Sequence, residues 1–157
     1  MKRKITDIFN KMEVDKKSFE FLKTGFSRLD DFLDGGFLRK EFIVLGGATG
    51  KGKSFIAGSI FANIATQGFN SAYFSLEISN EMIASRLVGA KSNIKPTRIM
   101  AGLLTTIENE AKIKAKAELS VFEDFMSFYD DVYILAEIEK EIIENKYEFV
   151  VIRHVRI

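Results

Sequence analysis

The sequence has no cysteine and no tryptophan, and it has one proline and one histidine in 157 residues. Without cysteine there is no disulfide framework and no thiolate metal site, which fits a reducing compartment. A single proline and eleven glycines exclude collagen-like and proline-rich low-complexity sequence. An excess of either charge is also missing. The 23 basic and 22 acidic residues leave a net charge of +1, so no global basic field draws nucleic acid, and such a partner would need a local site. No apolar run reaches the roughly 18–20 residues of a membrane span. The basic N-terminus MKRKITDIFNK lacks the apolar centre and cleavage site of a secretory signal. The expectation is a cytoplasmic protein without membrane contact. What is present suits a folded core: 46% hydrophobic and 29% charged residues exclude a mostly disordered chain. The length fits about one domain.

Along the chain, residues 1–22 are charged and loosely amphipathic. Ile5, Ile8, Phe9 and Met12 recur at helical spacing and suggest a helix or linker that packs on something outside this chain. From Thr24 the pattern changes. A short helix around Leu29, Phe32 and Leu33 is stopped by Gly35-Gly36. Phe42-Ile43-Val44-Leu45 reads as a buried strand, Ser54 to about Gln67 as a helix, and Ala72 to Leu76 as a second strand. Ser79 or Asn80 is the expected N-cap of a helix to about Lys91, without the full capping box. Further helices are expected from Pro96, over Ile107–Leu119 and over Ile134–Asn145, with strands at Phe125–Tyr129 and Phe149–Ile152. Alternating strands and helices predict an α/β fold with a parallel sheet covered by helices.

The strongest chemical motif is Gly47-Ala48-Thr49-Gly50-Lys51-Gly52-Lys53-Ser54, which fits the P-loop pattern G-x-x-x-x-G-K-[ST]. Glycines let backbone amides turn inward around a phosphate with no side chain in the way. The helix that follows adds its N-terminal dipole. Lys53 would reach the β- and γ-phosphates, and the Ser54 hydroxyl would ligate Mg²⁺. The bland alternative is a glycine-rich turn that binds nothing, but the motif lies between an expected strand and an expected helix, the context a nucleotide loop requires.

Around this loop the chain resembles RecA-type ATPase cores. The opening is Thr24-Gly25-Phe26-Ser27-Arg28-Leu29-Asp30, followed by Gly35-Gly36-Phe37 and then the P-loop. Phe74-Ser75-Leu76-Glu77-Ile78-Ser79 is similar to the F-S-L-E-M-S stretch of DnaB-type replicative helicases. Arg86 to Ile94 is similar to the helix and turn that follow it there, and Arg98-Ile99-Met100-Ala101-Gly102 resembles that family's R-L-x-x-G. Val151-Ile152-Arg153-His154-Val155-Arg156-Ile157 lines up with the Walker B strand, in its phage-like form with histidine.

The resemblance implies a RecA-like P-loop core over 23–157, incomplete on its C-terminal side, behind a linker over 1–22. It implies an ATP-hydrolysing enzyme that unwinds duplex DNA at a replication fork as a homo-hexameric ring on single-stranded DNA, with primase and other replication proteins as partners. Gly47 to Ser54 would hold ATP, Ser54 would hold Mg²⁺, and Lys53 and Glu77 would be catalytic, Glu77 polarising the attacking water. From the residues alone, Glu77 is a helix N-terminal acid that favours the dipole. Arg86 and the Glu108–Glu118 run read as solvated helix faces, and His154 as a strand-end residue.

Two departures stand out. Arg153 occupies the Walker B aspartate position, where a guanidinium accepts no hydrogen bond and has the wrong sign beside a cation. The segment that would carry the sensor glutamine, DNA-binding loops and arginine finger lies beyond these residues. The expected behaviour is nucleotide binding without unwinding by this chain alone. A RecA/RadA/KaiC-type ATPase and a non-catalytic nucleotide-binding fragment that modulates a full-length helicase are the alternatives.

Overall fold

The computed structural model describes residues 4–14 and 20–153. They fall into two compact units, Met1–Ile43 and Val44–Ile157.

In the first unit, α1 (Ile5–Val14) is the helix that the spacing of Ile5, Ile8 and Phe9 predicts, and those three side chains are exposed. Leu22 and Phe37 form an antiparallel bridge, each N–H donating to the other's carbonyl at 2.9 and 3.0 Å. Gly36 lies beside it with φ +128°, and a Cβ there would sit 2.5 Å from the Leu22 carbonyl oxygen, so only glycine fits. Between them runs α2 (Ser27–Phe32).

The second unit holds the sheet. Its elements are α3 (Lys53–Ala65), β1 (Ser71–Ser75), α4 (Asn80–Ser92), α5 (Pro96–Ala101), α6 (Thr106–Ser120), β2 (Met126–Tyr129), α7 (Leu135–Asn145) and β3 (Phe149–Arg153). The three strands are parallel in the order β2-β1-β3, with Tyr73 opposite Phe128 on one side and Val151 on the other. Alternation along β1 assigns its two faces. Tyr73 packs with Phe61 of α3 and with Ile83 and Leu87 of α4. Ala72 and Phe74 pack with Ile138 of α7. The sheet thus lies between α3 and α4 on one face and α7 on the other, as the α/β reading expects. The chain passes from β1 to β2 on one face and returns past β1 to β3 on the other, the arrangement right-handed crossovers require.

One expectation fails. Phe42–Leu45 is not a strand. It belongs to no sheet, and its side chains are exposed, Phe42 at 93% and Val44 at 77%. An apolar run records a tendency to be covered, but a strand exists only where a neighbouring strand accepts its hydrogen bonds, and no described strand lies beside this one.

Candidate functional site

The topology brings the chemistry-bearing residues to one edge of the second unit. Helix α3 packs on β1 and β3, and its C-terminal end joins β1 through a short connection. Its N-terminus therefore lies at the carboxyl end of β1, the edge where open parallel sheets bind ligands. Ser54 of α3 and Ile78, just beyond β1, line the same narrow cleft.

The Gly47–Ser54 loop enters α3 through two left-handed glycines, Gly50 at φ +78° and Gly52 at φ +85°, and Gly52 is the N-cap of the helix. A side chain at either would be strained in that conformation. Lys53 turns back over the loop, its ammonium donating to the carbonyls of Gly47 at 2.6 Å and Ala48 at 2.9 Å. The Ser54 hydroxyl makes no hydrogen bond among the described residues. Exposed amides at a helix start, a lysine folded over them and a free hydroxyl together suit a polyphosphate.

Glu77 lies two residues past β1, on a turn tied by Ser75, whose hydroxyl donates to the Ile78 carbonyl at 2.7 Å and accepts from the Ile78 N–H at 3.3 Å. The turn leads into α4, capped by Ser79, and the Asp130 carboxylate at the end of β2 accepts from the Asn80 N–H at 2.8 Å. Arg153 ends β3, opposite Ser75 in register. Its Nη2 lies 2.7 Å from Glu77 Oε2. Sequence reasoning identified both residues but not this pairing, since nothing in a linear pattern couples positions so far apart.

Two more residues belong to the cleft and were missed. Tyr73 lines it, its phenol pushed above the ordinary range by burial, against the opposing pull of Arg153 and Arg86. Arg86, expected on a solvated face, is half-buried and lines the same cleft as Ser54. The Glu108–Glu118 run lies on α6, where Ala115 is buried and Lys91 of α4 pairs with Glu118 at 3.2 Å. His154 lies outside the described residues.

The loop fits a nucleotide. The fit to a divalent metal ion is poor: no group of three or more acidic or histidine side chains gathers among the described residues. Ser54 offers one oxygen, and the carboxylate nearest β3 is held by a guanidinium. No described helix is long and apolar enough to cross a membrane.

These features define a P-loop nucleotide-binding α/β domain. Within that class the assignment is narrower: residues 22–156 match the DnaB-like helicase C terminal domain, and the chain belongs to that family. A replicative DNA helicase DnaB of Treponema pallidum (strain Nichols) is 36% identical over 108 residues, 66% of this chain and 24% of the relative. Another, of Synechocystis sp. (strain ATCC 27184 / PCC 6803 / Kazusa), is 37% identical over 107 residues, 68% of this chain and 12% of the relative. The chain therefore covers a minor part of the length of these relatives. A solved helicase ATPase domain superposes with a TM-score of 0.71 at 18% identity, over 94% of this chain and 54% of that one, which supports the fold. The family match sets the chain apart from the recombinase and KaiC-like alternatives.

Proposed function

We propose that this chain is the nucleotide-binding part of a replicative helicase ATPase core, with residues 23–157 forming the partial domain and 1–22 a linker. The observation that carries the reading is the loop geometry: left-handed Gly50 and Gly52 open α3 while Lys53 folds over the loop carbonyls. In the bound state the ATP phosphates take the Lys53 ammonium from those carbonyls, and the loop amides and the start of α3 hold their charge. Mg²⁺ would enter at Ser54, supplying charge neutralisation. Glu77, beyond β1, is the candidate base for the attacking water. In the complete protein this site would drive a cytoplasmic hexameric ring along single-stranded DNA at the fork, with primase among its partners.

The test is ATP binding by calorimetry. The native chain should bind, and Lys53→Ala should weaken binding by at least about tenfold, roughly 1.4 kcal/mol. Equal binding by both would sink the reading. The second reading, a nucleotide-binding module that does not hydrolyse, is favoured by one observation, the 2.7 Å pair between Arg153 and Glu77.

A further inference from the structure

The carboxyl ends of β1 and β3 do not present the pair of acids that a metal-assisted site calls for. They present an acid and a base joined to each other. Arg153 Nη2 lies 2.7 Å from Glu77 Oε2, a charge-assisted hydrogen bond of the strong kind. Arg153 is the less exposed partner, 23% against 40%. Its other terminal nitrogen, Nη1, is buried and has no hydrogen-bond partner among the described residues. A guanidinium with one satisfied and one unsatisfied buried nitrogen has spare capacity for an anionic acceptor. The charge of Arg153 acts on Tyr73, whose side chain lines the same cleft as Ser54.

Two consequences follow from charge alone. A divalent ion approaching from the Ser54 hydroxyl meets a fixed positive charge at the end of β3, with the neighbouring carboxylate already neutralised. The same pairing occupies Glu77. A carboxylate oxygen that accepts from a guanidinium is a weaker base towards water, because proton abstraction would have to discard the stronger hydrogen bond.

We propose that Arg153 is a positioning residue that holds Glu77 in an ion pair and stands as a fixed cation in place of a divalent metal, so that the chain binds ATP without metal dependence and keeps it unhydrolysed. This rests on the reading of Gly47–Ser54 as the nucleotide loop and of Glu77 as the candidate base. The pair acts by removing a base and by excluding a second cation.

The experiment measures the affinity of the intact chain for ATP in chelator and in excess magnesium. The proteins are the native chain, Arg153→Asp and Arg153→Gln, with Lys53→Ala as the loop control, and phosphate release is followed in parallel. Native affinity should change by less than about threefold between the two buffers, whereas Arg153→Asp should gain about tenfold or more on adding magnesium. Arg153→Gln keeps the test open if the charge reversal fails to fold; it should lose affinity in chelator, where Arg153 supplies the counter-charge. Nitrogen-15 spectra of the Arg153 guanidinium give a direct readout: resolved, slowly exchanging Nη protons in the native chain that collapse in Glu77→Gln.

A magnesium gain in the native chain equal to that of Arg153→Asp overturns the proposal and leaves the nucleotide reading intact. So do phosphate release by the native chain above the Lys53→Ala background, and guanidinium spectra indifferent to Glu77→Gln. Arginine variants that melt earlier yet keep the native metal response would mark a merely structural pair, and overturn it too. If neither the native chain nor its arginine variants bind ATP, both the nucleotide reading and the proposal fall.

Discussion

Single residues explain why parts of the family-like sequence are as they are. In Thr24-Gly25-Phe26-Ser27-Arg28-Leu29-Asp30, the Asp30 carboxylate accepts from the Thr24 N–H at 2.8 Å, the Thr24 hydroxyl at 2.7 Å and the Gly25 N–H at 3.2 Å. The Thr24 hydroxyl in turn accepts from the Phe26 N–H at 3.2 Å. Phe26, the N-cap of α2, has no side chain able to cap, so Asp30 reaches back and satisfies the amides instead. The motif is a local fold device and touches no ligand. Asp30→Ala leaves these donors unmade and should cost about 1–3 kcal/mol, read as faster amide exchange at Thr24 and Gly25 with ATP affinity unchanged. At this scale the candidate site was half legible. The P-loop spacing located Lys53 and Ser54, and register with a known strand located Arg153. Its partner was not legible, because pairing across β1 and β3 is a product of sheet order.

Elements were legible wherever their own sequence closes their hydrogen bonds. Helix α6 begins with a capping box: the Thr105 hydroxyl accepts from the Glu108 N–H at 3.2 Å, and Glu108 accepts from the Thr105 N–H at 2.8 Å. Arg98 of α5 joins the same carboxylate at 2.8 Å, and Gly102 ends α5 in the left-handed region. The Arg98–Gly102 motif therefore ties two helices together, and Thr105→Ala should cost about 1 kcal/mol. The bonds from Thr105 hold the Glu108 carboxyl below the usual carboxylate range, aided by Arg98. A carboxyl lowered on folding stabilises the folded state above its unfolded value, about 4.3, and loses that contribution as pH falls through the folded value. The difference in Tm between the native chain and Glu108→Gln should be largest at neutral pH and vanish in acid. A difference that persists in acid would assign the effect to shape rather than charge. Phe42–Leu45 was misread for the complementary reason: its period and composition are those of a strand, but a strand's bonds are made by a neighbour, and sequence does not say which neighbour is at hand.

At the scale of the whole molecule, burial and charge point the same way. Phe42, Ile43, Val44 and Leu45 form a run of exposed apolar side chains. Strand β3 pairs with β1 alone among the described strands, which leaves one edge with unmade hydrogen bonds. Both features favour association with another chain. Net charge offers little opposition, since +1 at neutral pH and a pI near 7.9 leave almost no colloidal repulsion in ordinary buffers. The chain should therefore scatter light most strongly near pH 8 and less at pH 6, where its net charge is higher. The two causes are separable by substitution. Phe42→Lys removes the most exposed apolar side chain of the run and adds a charge, whereas Lys51→Glu alters charge at a loop position and leaves the apolar run intact. If the exposed run drives association, Phe42→Lys should abolish the concentration-dependent rise in scattering even near its own isoelectric pH, and Lys51→Glu should only shift the pH of maximal scattering downward. If both merely shift that pH, charge balance alone governs association and the exposed run is innocuous.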